Sequence, residues 1–300
     1  MTNRRQKPPS DHHFVPQFLL RNFVDEKDDL HVYDRRTPTR GVFSAPPFKV
    51  FFEKNLYSSI SKDGKRDAAL EIAFRPLEYS ASKLIYTILA STRNGRLPAL
   101  STGERDLLDI FTYYQWKRVP DTINRVVSSD KLNALGAESI EEFERDVRPL
   151  TAAEKSSLED PVTWKRIIQR ARTDVIARGS PEVLGFFRKM ALNVVRITNK
   201  KKAFVIGSHP VAKLHEPGQA HMADSQTQIW LPIASDVAIA YTGHRPARYI
   251  EIADAAEIRQ VNIATAWGSS LIASRSPELT RSLIGDVGVK MEAIGVWTDT

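Results

Sequence analysis

Cysteine is absent from this chain of 300 residues. Its absence excludes disulfide bonds, cysteine-ligated zinc, iron–sulfur clusters and a thiol nucleophile. Long apolar runs are missing as well, since no uncharged stretch approaches the roughly 20 residues that span a bilayer. The first residues, MTNRRQKPPSD, are basic and lack the apolar core of a secretory signal. We therefore expect a protein of the cytoplasm that does not enter a membrane.

The sequence also lacks the short motifs that bind nucleotides or catalytic zinc. It contains no Walker loop, no glycine-rich dinucleotide fingerprint and no His-Glu-x-x-His pair. These absences argue against a nucleotide cofactor and against a zinc protease. A divalent metal stays open as a cofactor, because carboxylate ligands need none of these motifs.

Positive charge is in excess, with 43 lysines and arginines against 36 aspartates and glutamates, a formal net charge of +7. Such an excess favours encounter with polyanions, including nucleic acid. The denser basic patches are Arg4–Lys7, Arg35–Arg40 and Lys200–Lys202. Most patches of this kind are solvated surface, so the charge indicates nucleic acid only as a candidate partner.

The hydrophobic pattern predicts an α+β fold, mostly helical, in a single domain over residues 11–300. Residues 1–10 are predicted to be a disordered basic arm. A short helix from Pro16 to about Phe23 precedes a small N-terminal β-element. Three regions follow: a helical middle at 66–199, a strand-rich part with an antiparallel or mixed sheet at 202–252, and C-terminal helices at 253–287.

Three details of the helical regions depend on local signals. Pro76 interrupts an apolar periodic run, which predicts a kink or a break at that residue. Residues 129–160 are polar, and we expect only short helical pieces there. Two helices are then predicted, Pro161–Ala177 and Pro181–Thr198, each with proline in its first turn.

The stretch DHHFVPQFLLRNF, residues 11–23, mixes apolar and polar groups unusually closely. Gln17 and Arg21 are four residues apart and share a helix face, while the phenylalanines and leucines can pack elsewhere. His12 and His13 precede this helix and can fold over its N-terminal end. The cluster is consistent with a functional site or with groups that cap a helix and bind buried backbone.

A second polar set lies on the helix that precedes Pro120, in the segment QWKRVP. Leu108 and Phe111 define an apolar stripe that continues through Gln115 and Arg118. Polar groups in line with an apolar face are costly unless they are paired. We therefore expect partners from another element, and a carboxylate or an anionic ligand for Arg118.

A third set, Glu71, Arg75 and Glu78, shares one face of a continuous helix. Its two carboxylates could hold a divalent metal or act as acid and base. The alternative is a row of solvent-exposed Glu–Arg ion pairs on the helix surface, which has the same spacing.

The order of these motifs resembles that of the family catalogued as domain of unknown function 4238. The segments that carry the resemblance are HHFVPQFLLRNF, VYDRR, FFEKNLYS, LEYSASKLIYTI, QWKRVP, FVIGSHPV, LPIASDVAI and VNIATAWGSSLIAS. The family implies a bacterial-type cytoplasmic protein without an established activity. It also implies that the opening cluster, Glu78, Gln115, Arg118 and Asn262 assemble into one site.

One position departs from the family pattern. The strand-turn that usually reads Ser-Asp-Asn-Pro is Gly207-Ser208-His209-Pro210 in this chain. The resemblance thus implies that Ser208 replaces an aspartate. If that aspartate serves as a metal ligand or base in relatives, the function is lost or altered in this chain.

The leading functional hypothesis is a nuclease-like hydrolase of a phosphodiester or another anionic substrate. Catalysis is assigned to His13 as general base, Glu78 as acid or metal ligand, and Gln17, which orients water or substrate. Substrate binding is assigned to His12, Arg21, Gln115, Arg118 and Asn262. The alternatives are a non-catalytic module that binds nucleic acid or another anion, and a purely structural buried polar network.

Overall fold

A computed structural model describes residues 10–61, 65–126, 129–214, 226–243, 246–252 and 254–286. The predicted basic arm lies outside these residues except for Ser10. The chain divides into two compact units. The first unit takes its described residues from Met1–His12, Glu53–Arg75 and Thr122–Gly179. The second unit takes its own from His13–Phe52, Pro76–Asp121 and Ser180–Thr300. That 11–300 is a single domain stays a prediction.

Helices and strands alternate irregularly along the described chain. The α-helices are α1 (Gln17–Leu20), α2 (Ala69–Arg93), α3 (Thr102–Lys117), α4 (Pro120–Val126), α5 (Ser129–Asp146), α6 (Ala152–Glu159), α7 (Pro161–Ala177), α8 (Pro181–Lys189), α9 (Ala255–Trp267) and α10 (Pro277–Asp286). The strands are β1 (Asp11–His13), β2 (Leu30–Asp34), β3 (Phe43–Ala45), β4 (Phe52–Lys54), β5 (Ser59–Ile60), β6 (Arg66–Asp67), β7 (Ala191–Ile197), β8 (Ile206–Gly207), β9 (Ala212–Leu214), β10 (Gln228–Ala234), β11 (Val237–Thr242), β12 (Tyr249–Ile252) and β13 (Leu271–Ser274).

The second unit is built around two sheets. Within the described ranges, the larger sheet has the strand order β12-β7-β11-β10-β9. It is mixed, because β12 runs parallel to β7 whereas β7, β11, β10 and β9 pair antiparallel. The smaller sheet has the order β3-β2-β13-β8 and joins N-terminal to C-terminal strands. The short sheets pair β1 with β4 and β5 with β6.

The central strands β7, β10 and β11 are buried on both faces. This explains why their sequences read as continuous apolar runs and not as alternating patterns. Helix α9 supplies a cluster of buried apolar groups together with β13 and α10, comprising Val205, Ile263, Ala266, Ile272 and Leu283. The core of the second unit is therefore the sheets with the helices that cover them.

The first unit is mainly helical. Capping side chains start its helices, since Thr151 and Glu154 form a reciprocal capping box on α6 and Asp160 accepts from two backbone N–H groups of α7. Gln169 of α7 donates its amide to the carbonyl oxygens of Asn55, at 3.0 Å, and Ser58, at 2.8 Å. These bonds fix the segment between β4 and β5.

The α+β class with a mixed sheet in the C-terminal part is confirmed. Several boundaries differ from prediction. Helix α2 continues through Pro76, so the chain does not break there. Residues 129–160 contain the helix Ser129–Asp146, not just short pieces.

Two segments predicted to be helical are strands. The helix expected over Pro181–Thr198 ends at Lys189, and Ala191–Ile197 is the strand β7. In the C-terminal region Leu271–Ser274 is the strand β13. Short apolar runs are ambiguous between a buried helix and a buried strand, and here sheet pairing decides for the strand. No helix in the described part of the chain is long and apolar enough to cross a membrane.

Candidate functional site

The opening motif forms a short helix held by its apolar side chains. Pro16 precedes α1, and Leu19, Leu20 and Phe23 are buried. On the polar side, the Gln17 amide nitrogen lies 3.5 Å from the ring nitrogens of His13, and Arg21 Nη2 lies 3.5 Å from Gln17 Oε1. These distances are at the outer limit for hydrogen bonds. The predicted His13–Gln17–Arg21 face is therefore present, as a loosely bonded row that reaches the surface at Arg21.

His12 belongs to the first unit and is fully buried. Its Nδ1 accepts a hydrogen bond of 2.9 Å from the Tyr57 N–H, and its ring stacks on the Tyr57 ring. A ring nitrogen that accepts a hydrogen bond carries no hydrogen itself, so the neutral His12 ring has its N–H at Nε2. Glu71 Oε2 lies 4.0 Å from Nδ1. These contacts hold the segment after β4, and the burial of His12 argues against its predicted contact with substrate.

The buried stripe predicted to run along α3 through Gln115 and Arg118 is confirmed. Leu108, Phe111 and Gln115 are fully buried, and Arg118, the C-cap residue of α3, is 1% exposed. Arg118 meets the expected carboxylate, since its Nη2 donates to Glu78 Oε1 of α2 at 2.6 Å. Glu78 is 31% exposed, so the pair is buried from the arginine side and reachable by water from the carboxylate side.

Gln115 has no such partner. Its amide oxygen and nitrogen are both buried, and no described residue hydrogen-bonds either atom. Phe18 of α1 lies against Phe111 of α3, with ring centroids 5.9 Å apart. This contact brings α1 and α3 together one helical turn from Gln115. It does not place the polar sets of the two helices in contact, so their assembly into one site stays a prediction.

Asn262 lies in α9 and clamps backbone. Its Oδ1 accepts from the Val205 N–H at 3.0 Å, and its Nδ2 donates to the Ala203 carbonyl at 2.9 Å. Both ends of the amide are thus occupied in holding the strand-turn that precedes β8. The sequence did not indicate this clamp, because its partners lie almost 60 residues away.

Ser208 is buried after β8 and faces a carboxylate that the sequence did not connect with it. Its Oγ donates a short hydrogen bond to Asp121, while its Oγ also accepts from the Leu271 N–H at 3.0 Å. Ser270 approaches the same carboxylate through its backbone N–H at 3.4 Å. A carboxylate is therefore present beside Ser208.

A strongly charged concave surface lies elsewhere in the second unit. A cavity of about 480 Å³ is lined by the end of α2, the end of β7 and the turn that follows β7. Its charged lining residues in the described part of the chain are five cations and one carboxylate: Arg93, Arg196, Lys200, Lys202, Arg275 and Asp236. The carboxylate is bound by Arg93 through two hydrogen bonds, of 3.0 and 2.8 Å.

The ion pair between Arg93 and Asp236 fixes one wall of this cavity. Burial alone would raise the pKa of Asp236, but the hydrogen bonds and charge of Arg93 outweigh it and hold that pKa below its usual value. The same hydrogen bonding raises the pKa of Arg93. Both groups are therefore charged near neutral pH, and their opposite charges largely cancel. The electrostatic potential in the cavity is then set by the four other cations that line it.

A second cavity, of about 340 Å³, adjoins the first and shares Lys202 and Arg275 with it. Asn262 lines this cavity too. Among the described contacts, this position is what connects Asn262 with the substrate binding predicted for it. We call the cations of both cavities the basic face: Arg93, Arg196, Lys200, Lys201, Lys202, Arg259 and Arg275. Arg275 Nη2 donates to the Lys200 carbonyl at 2.9 Å and thereby shapes the turn that presents the lysines.

The sequence signal for the basic face was the patch Lys200–Lys202. Its other members are far from that patch in the chain, and no local pattern announces them. Among the described residues, no group of three or more histidine, aspartate or glutamate side chains is placed to hold a metal ion.

The fold and these surfaces define an α+β protein with a basic concave face and a separate buried arginine–glutamate pair. The family model described as "Protein of unknown function (DUF4238)" matches residues 11–277. The chain belongs to this family, as its motifs predicted. No curated protein and no solved structure matches it.

Proposed function

We propose that the protein binds a phosphate-bearing polyanion through the basic face of its second unit. The observation that carries the proposal is the composition of the 480 Å³ cavity, where one carboxylate stands against five cations. Cations that converge on a concave surface focus the field and attract anions. Lysine and arginine are also the side chains that bind phosphate oxygens.

The hydrogen bonds around the cavity support a prearranged binding surface. Arg93 is held by Asp236, and Arg275 by backbone carbonyls, so neither guanidinium has to be ordered when a ligand binds. Lys200 and Lys202 are exposed on the turn between them and can adapt to phosphates at different positions. Fixed arginines and exposed lysines on long side chains suit an irregular polymer better than a single small anion.

The hydrolase hypothesis has weaker support. It needs a free guanidinium to clamp the anion, and Arg118 is buried and bonded to Glu78. His13 stays the predicted general base, and Arg21 is exposed. The basic face instead presents exposed lysines beside guanidinium groups that are already held in place, and we therefore favour the binding function.

The test uses long-chain inorganic polyphosphate, titrated into the full-length protein by calorimetry. Lys200→Ala combined with Lys202→Ala should weaken binding by up to about 30-fold, since an exposed cation contributes up to about 1 kcal/mol. The matched control is Lys27→Ala combined with Lys49→Ala, which removes the same charge from exposed positions outside the basic face.

Two results would overturn the proposal. The first is a parent protein that binds neither polyphosphate nor a labelled oligonucleotide at low salt. The second is a control pair that loses as much affinity as the pair on the basic face. The second result would show that net charge alone attracts the polymer. A parallel incubation of labelled oligonucleotide with Mg²⁺ tests the hydrolase hypothesis, which requires cleavage that His13→Ala abolishes.

A further inference from the structure

Helix α2 exposes two large aromatic side chains on its outer surface. Tyr79 is 63% exposed and Tyr86 is 76% exposed. The ammonium group of Lys83 lies 4.2 Å from the centre of the Tyr79 ring. Aromatic rings beside cations are the groups on which the bases of single-stranded nucleic acid stack.

The spacing of these residues connects them to the basic face. Tyr79, Tyr86 and Arg93 follow one another at intervals of seven residues, which is two helical turns or roughly 10.5 Å. Residues at this interval lie on nearly the same side of a helix. Arg93 is the last residue of α2 and lines the 480 Å³ cavity. The exposed tyrosines therefore form a track that leads along α2 to the basic face.

We propose that the polyanion is single-stranded nucleic acid, with its phosphates on the basic face and two of its bases stacked on Tyr79 and Tyr86. This inference rests on the proposed function and names its ligand. The distance from Tyr79 to Arg93 is roughly 21 Å along the helix, which matches about six nucleotides at the stacked rise of 3.4 Å. Single-strand binding sites commonly cover a length of this order.

The aromatic track selects a single strand over other anions. Bases in a duplex are already stacked on each other and cannot stack on a tyrosine. Polyphosphate and acidic proteins can use the cations but have no base to place on the rings. Lys83, which lies between the two tyrosines in the sequence, suits a chain that alternates bases with phosphates.

The experiment measures anisotropy of two labelled 15-mers mixed with the full-length protein. One is an oligothymidylate, and the other has the same sugar–phosphate backbone with every base removed. Tyr79→Ala combined with Tyr86→Ala should weaken binding of the oligothymidylate by at least tenfold, since each stacking contact accounts for roughly 5- to 150-fold. The same pair should leave binding of the abasic oligomer within about twofold.

Two control variants separate stacking from structural damage. Tyr79→Phe combined with Tyr86→Phe keeps both rings and should restore most of the affinity. Phe48→Ala removes another exposed aromatic of the same unit, 58% exposed and also close to a lysine, from a segment outside α2. It should have no effect on either oligomer.

The outcomes distinguish failure of this inference from failure of the proposed function. Equal affinity for both oligomers, unchanged by the tyrosine variants, would refute the aromatic track but keep the basic face. Absence of binding to both oligomers and to polyphosphate would refute the proposed function itself.

Discussion

Replacing Glu78 tests how the buried arginine is held. Arg118 is 1% exposed, and its Nη2 lies 2.6 Å from Glu78 Oε1. Glu78→Gln removes the negative charge and keeps the shape of the side chain. The guanidinium then keeps its full charge in a buried position and loses the carboxylate that neutralises it.

The expected loss of stability in Glu78→Gln follows from the unequal exposure of Arg118 and Glu78. Removing one partner of a buried ion pair typically costs about 3–5 kcal/mol, because an uncompensated charge stays inside. Glu78 is 31% exposed, so water can reach the position, and the glutamine oxygen can still accept a hydrogen bond. We therefore expect Glu78→Gln to lower the free energy of unfolding by about 2–3 kcal/mol.

The assay is urea unfolding of four proteins in a double-mutant cycle: the parent, Glu78→Gln, Arg118→Met and the double variant. The double variant should be more stable than the sum of the single losses predicts, with a coupling of about 2 kcal/mol. The exposed pair of Arg188 and Asp106 supplies the control, since Asp106→Asn there should cost less than about 1 kcal/mol. A cost of Glu78→Gln no larger than that of the control, with zero coupling, would refute the reasoning.

Two further predictions concern buried polar groups of the second unit. Gln115→Met keeps the side-chain volume and removes an amide to which no described residue hydrogen-bonds. The free energy of unfolding in urea should therefore rise by about 1 kcal/mol. A loss of stability would show instead that water or a ligand binds this amide. Ser208→Asp places a second carboxylate against Asp121 at a buried position and should cost about 3 kcal/mol, most of which Asp121→Asn should restore in the double variant. A Ser208→Asp variant as stable as the parent would contradict that account.

Local patterns were sufficient for the α3 stripe. Leu108, Phe111, Gln115 and Arg118 follow helical spacing, so their common burial could be predicted from the sequence together with the need of Arg118 for a carboxylate. Only the three-dimensional fold shows that Glu78 meets this need and that Gln115 stays without a partner.

The basic face illustrates what local patterns do not contain. Lys200–Lys202 is visible as a charge run, but Arg93 and Arg275 lie about 100 and 70 residues from it along the chain. Their convergence depends on where α2 ends and on how β13 joins the smaller sheet. In the same way, the helix predicted over Pro181–Thr198 is wrong from Ala191 onward. The apolar run of β7 has no period of its own, and its pairing partners β11 and β12 follow it by 40 residues or more.

The salt dependence of single-strand binding tests the central claim most directly. The affinity of the full-length protein for the labelled oligothymidylate is measured at several NaCl concentrations, with the parent, the Lys200→Ala and Lys202→Ala pair, and the Lys27→Ala and Lys49→Ala pair. Each phosphate contact contributes about 0.7 to the slope of log K against log salt. Our account predicts that substituting Lys200 and Lys202 lowers the magnitude of this slope by about 1.4, and that substituting Lys27 and Lys49 leaves the slope unchanged. An equal slope in all three proteins would contradict the assignment of the basic face as the phosphate-binding surface.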